Sequence, residues 1–234
     1  MVNWERAGRP ARAARAALSY ELVVTAAVEV ADAQGLDAVT MRKVADHVGA
    51  GAMSLYRYVD SREDLLDLMV DRVSAEAVAP APTGDWRADL AAAAHRVRDL
   101  TLRHPWLTRH ALAAEDFGPN TLALTESSLA LLDGHGLTIE EMLDVWRTVL
   151  AFTQGHACAE ARRRGAVPRA ARGGRAAGRV SLLDRAAESG EYPLSSRALR
   201  GEQEPEDPGG AFERRLHHVL DGLAQAYFAP PPRR

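Results

Sequence analysis

The chain has 234 residues, 47% of them apolar and 26% charged, with a formal net charge of −3. That is long enough for a sizeable hydrophobic core, and the charge excludes a wholesale polyanion binder. No run approaches the ~18 apolar residues that a membrane-crossing helix needs. The N-terminal "MVNWERAGRPARAARAAL" lacks the apolar stretch of a secretory leader, so a cytoplasmic protein with no membrane partner is expected. The single cysteine, Cys158, allows neither an intrachain disulfide framework nor a cysteine-based metal site. Of the 29 basic residues only Lys43 is a lysine, so arginine usage is a compositional bias and only the placement of charge is informative.

In chain order, residues 1–18 carry Arg6, Arg9, Arg12 and Arg15 against Glu5 alone and form a basic arm, either solvated or in contact with phosphates. Leu22, Ala26 and Val30, with Val23 and Ala27 beside them, predict a first helix from Ser19 that ends at Gly35. Thr40 is the expected cap of a short second helix with Met41, Val44, Ala45 and Val48 inward, stopped by Gly49. A third helix is predicted over 52–59, with Leu55 and Val59 buried. "SRED" then signals a capped helix over 61–79.

"APAPTG" at 79–84 breaks the composition and marks a boundary. Beyond it the periodicity predicts helices over 85–103, 119–134, 138–163 and 210–228. The 138–163 segment is apolar on more than one face, with Ile139, Met142, Trp146, Val149 and Thr153 on one and Val145, Phe152 and His156 on another. Phe212, Leu216, Val219, Leu223 and Tyr227 stripe the last helix. Between those two helices, "RRRGAVPRAARGGRAAGR" and "GEQEPEDPGG" read as loop. No strand pattern is present. The expected fold class is all-α: a three-helix unit with a linking helix over 19–79 behind the arm of 1–18, then a helical bundle over 85–228.

Two short helices joined at a glycine, the second presenting Ala, Met, Ser, Tyr, Arg and Tyr, suit insertion of one helix into a DNA major groove while the other braces it. Arg42 and Lys43 lie where a phosphate backbone would pass. Tyr56, Arg57 and Tyr58 bring hydroxyls and a guanidinium toward phosphates or base edges, and Ala52 and Met53 suit thymine methyls. The alternative on periodicity alone is an ordinary helical hairpin. "GLDAVTMRKVADHVGAGAMSLYRYVDSREDLLDLM" also resembles the helix-turn-helix domain of the TetR (tetracycline-repressor-like) transcriptional regulators, without gaps and over roughly residues 15–75. The resemblance implies DNA contacts from Arg42, Ala52, Met53, Ser54, Tyr56, Arg57, Tyr58 and Arg62; Thr40 and Lys43, at the start of the bracing helix, complete the candidate DNA-binding set. Many members carry His at the place of Tyr58, Lys at Arg62 and Ser or Thr near Gly51, so no operator sequence carries over.

"TESSLALLDGHGLTIEEMLDVWRTVLAFTQGHACAEA" and "FERRLHHVLDGLAQ" resemble the effector domain of tetracycline repressors more weakly. That resemblance implies a homodimer through helices 138–163 and 210–228, an inverted-repeat operator of double-stranded DNA and release by a small-molecule effector. Ala151 and Ala159 stand where tetracycline repressors use a His and a Glu around the drug and its magnesium. Alanine offers no ligand atom, so tetracycline is not the expected effector. Candidate pocket residues are Trp106, Phe117, Leu124, Ser128, Trp146, Phe152 and Gln154, aromatic and aliphatic walls with a few polar groups. The eight histidines form no metal-ligand spacing, and no P-loop, nucleophile elbow or dinucleotide motif occurs. Neither metal, cofactor nor enzymatic activity is expected. The competing reading is a helical binding or catalytic protein with a vestigial DNA-binding domain.

Overall fold

The computed structural model describes residues 18–110, 118–165, 189–199 and 208–228, and all regular structure among them is helical, as the sequence predicts. Helix α1 spans Tyr20–Gln34, opened by Ser19, whose hydroxyl accepts the Leu22 N–H at 3.1 Å. It closes at Gly35, where φ is +84° and the N–H bonds the Ala31 carbonyl. A single 3₁₀ turn, Leu36–Ala38, leads to α2 (Met41–His47), capped by Thr40 through the Lys43 N–H at 3.2 Å. Gly49, at φ +67°, makes the reversal into α3 (Ala52–Leu55), a left-handed conformation that a side chain would strain.

Helix α3 is shorter than the predicted 52–59. After Leu55 the chain tightens, and both Tyr58 N–H and Val59 N–H bond the Leu55 carbonyl while Val59 is drawn into the core. Ser61 then caps α4 (Arg62–Ser74), which continues as the 3₁₀ turn Ala75–Ala77 and stops short of the predicted 79. Pro80 accounts for the stop, because it disfavours helical backbone at the residue before it.

Asp85 opens α5 (Trp86–Arg103) by accepting the Arg87 and Ala88 N–H groups at 3.1 Å. Pro105 ends it, and a short helix not read from the sequence, α6 (Leu107–His110), follows. Helix α7 (Pro119–Ala130) ends before the predicted 134, because Leu131 and Leu132 turn fully inward and Gly134 and Gly136 take positive φ. Helix α8 (Ile139–Arg163) has a complete capping box: Thr138 accepts from the Glu141 N–H, and Glu141 accepts from the Thr138 N–H. That bond holds the Glu141 carboxyl below the ordinary carboxylate range. Helices α9 (Pro193–Leu199) and α10 (Pro208–Leu223) complete the chain, and a widened turn over Ala224–Phe228 replaces the last part of the predicted helix. There Phe228 stacks on Trp86 at 3.9 Å and Tyr227 donates to Asp144.

Helix α1 packs on α2 and α4, α4 on α7, α5 on α8, and α8 on α10. One connected core runs through both halves of the chain, from Val23, Val44, Leu55 and Met69 to Leu90, Val149, Phe212 and Leu216. Leu22 and Ile139, members of the apolar stripes read from sequence, are 40% and 59% exposed. In each case the buried face is set by neighbouring positions: Val23 and Val24 in α1, Met142 and Val145 in α8. No helix among the described residues is long and apolar enough to cross a membrane.

Candidate nucleic-acid interface

Leu55 and Val59, at 0% and 2% exposure, anchor α3 to the core and fix which side faces out. The outward side presents Met53, 79% exposed, and Tyr56, 46% exposed, with Arg57 beside them and Ala52 and Ser54 half-buried at the edges. Arg42 and Lys43 are exposed in the first turn of α2, next to Thr40. The Thr40 hydroxyl accepts the Lys43 N–H and can still donate its own proton. The result is a surface of one apolar side chain, three cations and a phenol around two short helix starts.

Two of the expected contact residues have polar atoms turned inward. The Tyr58 hydroxyl donates to the Leu18 carbonyl, and its ring lies 5.9 Å from the Arg57 guanidinium. Arg62 donates through Nε to the Val39 carbonyl at 2.7 Å and through Nη2 to the Leu36 carbonyl at 3.1 Å. Arg62 thus ties the start of α4 to the turn ahead of α2, and Tyr58 ties the end of the reading segment to the start of α1.

The expected pocket residues are dispersed. Phe117 lies outside the described residues. Trp106 is 4% exposed, and its indole N–H donates to Asp32 of α1 at 2.7 Å, so its polar edge faces the N-terminal unit. Ser128 is fully buried, but its hydroxyl donates back to the Leu124 carbonyl within α7. Trp146 is buried in the core, Leu124 and Phe152 pack against it half-buried, and Gln154 is half-buried. Phe152 stacks on Phe212 of α10 at 5.7 Å. A shallow groove of about 570 Å³ runs between α5 and α10 beside Arg87, Ala91, Glu213 and His217, and none of the expected pocket residues lines it.

Several polar residues that hold these elements were not singled out in the sequence. Glu160 of α8 is fully buried and accepts a two-pronged pair from Arg98 of α5 at 2.8 and 3.0 Å. Arg164 reaches the same carboxylate at 2.5 Å, and the Arg98 guanidinium lies 5.1 Å from the Phe212 ring. Next to it, burial and then the Arg215 guanidinium hold the His156 imidazole below its ordinary value, so the ring stays neutral. Arg215 donates to Nε2 at 3.2 Å, which leaves the proton on Nδ1, a buried atom without a hydrogen-bond partner. Asp71 and Asp32 are the other two. For Glu160 and Asp71 the available signal was an acid on an inward helical stripe: Glu160 follows Thr153 and His156 at helical spacing, and Asp71 sits among Leu68, Met69, Val70 and Val73. Asp32 is exposed and carried no such signal. Among the described residues no group of three or more His, Cys, Asp and Glu side chains is arranged to hold a metal ion.

A helix-turn-helix whose reading face is exposed, carried on an all-helical second unit, defines the class as a DNA-binding regulator. The family model described as "Bacterial regulatory proteins, tetR family" matches residues 23–69, and "Tetracyclin repressor-like, C-terminal domain" matches residues 79–227. The HTH-type transcriptional repressor DrrR1 of Streptomyces coeruleorubidus is 36% identical over 226 residues, 94% of this chain and 82% of the relative. The class A tetracycline repressor of transposon 1721 from Escherichia coli is 26% identical, over 89% of this chain and 91% of that one. Among solved structures, the Streptomyces coelicolor TetR family protein ActR in complex with actinorhodin superimposes with a TM-score of 0.72 at 27% identity, covering 90% of this chain and 98% of its own. The chain belongs to the TetR family of transcriptional regulators.

Proposed function

We propose that this protein is a repressor that binds an inverted-repeat operator as a homodimer and is released by a small apolar or aromatic effector. The observation that carries the DNA reading is the α3 face: Met53, Tyr56 and Arg57 are held outward by buried Leu55 and Val59, with Arg42 and Lys43 alongside. Thr40, Arg42, Lys43, Tyr56 and Arg57 contact phosphates and base edges, and Ala52, Met53 and Ser54 line the groove. Tyr58 and Arg62 act from behind this face, since their inward hydrogen bonds set its angle.

A two-fold dimer places two such faces about one DNA turn, ~34 Å, apart on successive major grooves. Helices α8 and α10 supply the interface. Most of the apolar stripe of each helix is taken up within the protomer. One outward stripe of α8 is Thr148, Ala151, Gly155 and Ala159, all exposed and small enough for a partner helix to approach closely. The effector class follows the Trp146 and Phe152 walls and the actinorhodin complex of ActR. Ala151 and Ala159 argue against a metal-chelated drug.

The test is selection of bound sequences from a random duplex pool, using protein refolded from denaturant to strip any retained ligand. An enriched inverted repeat is expected. Arg42→Ala and Tyr56→Phe should each weaken binding by ~1–3 kcal/mol, and loss of a phosphate contact should reduce the salt slope by about one. No enrichment by refolded dimer, or unchanged affinity in both variants, refutes the assignment.

A further inference from the structure

We propose that Asp32 and Asp71 are the positioning residues that couple the helix-turn-helix unit to the second unit, one holding the exit of α5 and the other the start of α7. This rests on the DNA-binding reading above. Asp71 lies on α4 and is 5% exposed. Its carboxylate accepts the Asn120 and Thr121 N–H groups and the Asn120 side-chain amide at 2.9 Å, and the Thr121 hydroxyl at 3.2 Å. Helix α7 needs this acceptor. Its own cap position is Gly118, which has no side chain to offer, so the first-turn N–H groups are satisfied from another element. Tyr20 of α1 closes the same site: its hydroxyl is buried without a hydrogen-bond partner, and burial together with the Asp71 charge pushes the phenol upward.

Asp32 lies on α1 and serves the other side. Its Oδ1 accepts from His104 Nδ1 at 2.8 Å and from the Trp106 indole at 2.7 Å, both donors being 4% exposed. A carboxylate only accepts, so the His104 Nδ1 carries the proton. On its far side His104 Nε2 lies 3.5 Å from Glu76, which sits in the 3₁₀ turn that follows α4 and pairs with Arg103.

The two attachments meet on the N-terminal side because α1 and α4 move as a pair. They pack directly on each other, Arg62 holds α4 to the Leu36 and Val39 carbonyls, and Tyr58 holds the reading segment to Leu18. Displacing the α7 start would strip the buried Asp71 carboxylate of its donors. Displacing the α5 exit would leave the buried His104 and Trp106 N–H groups without their acceptor Asp32, whose own side chain is 32% exposed. A buried polar group left unpaired is costly in either case. The lower-energy response is for α1 and α4 to follow and take α3 with them. Pairs such as His47 with Glu29 and Arg87 with Asp221 each stay within one unit, so they carry no such constraint.

Coupling is reciprocal, so operator binding must be felt at the attachments even with no effector present. The experiment is amide hydrogen exchange on the full-length protein with and without its selected operator duplex, for wild type, Asp32→Asn and Asp71→Asn. In wild type the duplex should slow exchange at least ~5-fold in 103–110 and 118–124 as well as in 40–58. Asp32→Asn should abolish the effect in 103–110 and Asp71→Asn in 118–124, while operator-induced protection of 40–58 persists in both. That difference separates coupling from a merely structural loss, which would raise exchange without operator. Trp106→Phe and Asn120→Ala remove single donors and repeat the test if an aspartate variant does not fold. Protection in 40–58 without any in 103–110 or 118–124 overturns the coupling alone. Protection at the attachments that survives the substitutions overturns the role of the aspartates. No protection in 40–58 overturns the DNA reading beneath both.

Discussion

Replacing Arg98 by Met keeps the length of the side chain and removes the two-pronged partner of a carboxylate that has no access to water. Glu160 is 0% exposed and Arg98 11% exposed, and the bonds between them measure 2.8 and 3.0 Å. Breaking a buried pair from one side costs about 3–5 kcal/mol, since the remaining charge is left desolvated. Arg164 stays at 2.5 Å from the same carboxylate but is 56% exposed, so it screens the loss only in part. The expected penalty is therefore near the low end, about 3 kcal/mol. For a chain of this size that is about 6–12 °C in Tm. The second substitution decides the interpretation. In Arg98→Met with Glu160→Leu both charges are gone, and replacing a buried pair by apolar side chains is close to neutral, so most of the stability should return. Thermal and denaturant unfolding of the four proteins at one protomer concentration forms the cycle, because a dimer's Tm depends on concentration. A loss under about 1 kcal/mol in Arg98→Met would refute the argument, and so would a double variant as unstable as the sum of the single ones.

Two further outcomes follow from local geometry. Thr138→Ala removes the cap of α8 and should cost about 1 kcal/mol in unfolding, with faster amide exchange confined to the first turn of that helix. His156 is held neutral by burial and nearby guanidinium groups, so its value in the folded state lies below the ordinary 6.5. The unfolded chain therefore binds the proton first. Stability from this site is complete above about pH 6.5 and declines as pH falls from there toward the folded-state value. Denaturant titrations at pH 7.5 and 5.5 should show that decline in the wild type and a smaller one in His156→Gln; equal declines would remove His156 as a cause.

Much of this architecture was legible because it is set by short-range chemistry. Ser19, Thr40, Ser61 and Thr138 each accept a backbone N–H within their own first turn, and Gly35 and Gly49 take the positive φ that reverses the chain. These events involve residues within a few positions of one another, and so does the helical spacing that put Leu55 and Val59 inward. The exposed Met53, Tyr56 and Arg57 follow from that spacing alone. Helix ends were less legible where a distant contact competes with continuation, as at Val59, at Leu131 and at Phe228 on Trp86.

The second unit shows the other limit. Sequence placed Trp106 and Ser128 in a pocket, since an aromatic and a hydroxyl on apolar helices suit a ligand equally well. Only the folded chain assigns the indole N–H to Asp32 and the hydroxyl to its own helix. Sequence by itself determined an all-helical protein with a helix-turn-helix and the face it presents. The tertiary structure decided where the charges on inward stripes go. Glu160 is tolerable only because Arg98 arrives from 62 positions away, and Asp71 only because α7 brings its N–H groups from 49 and 50 positions away. A buried charge is stable or ruinous according to its partner, and no local pattern specifies a partner that only packing brings near.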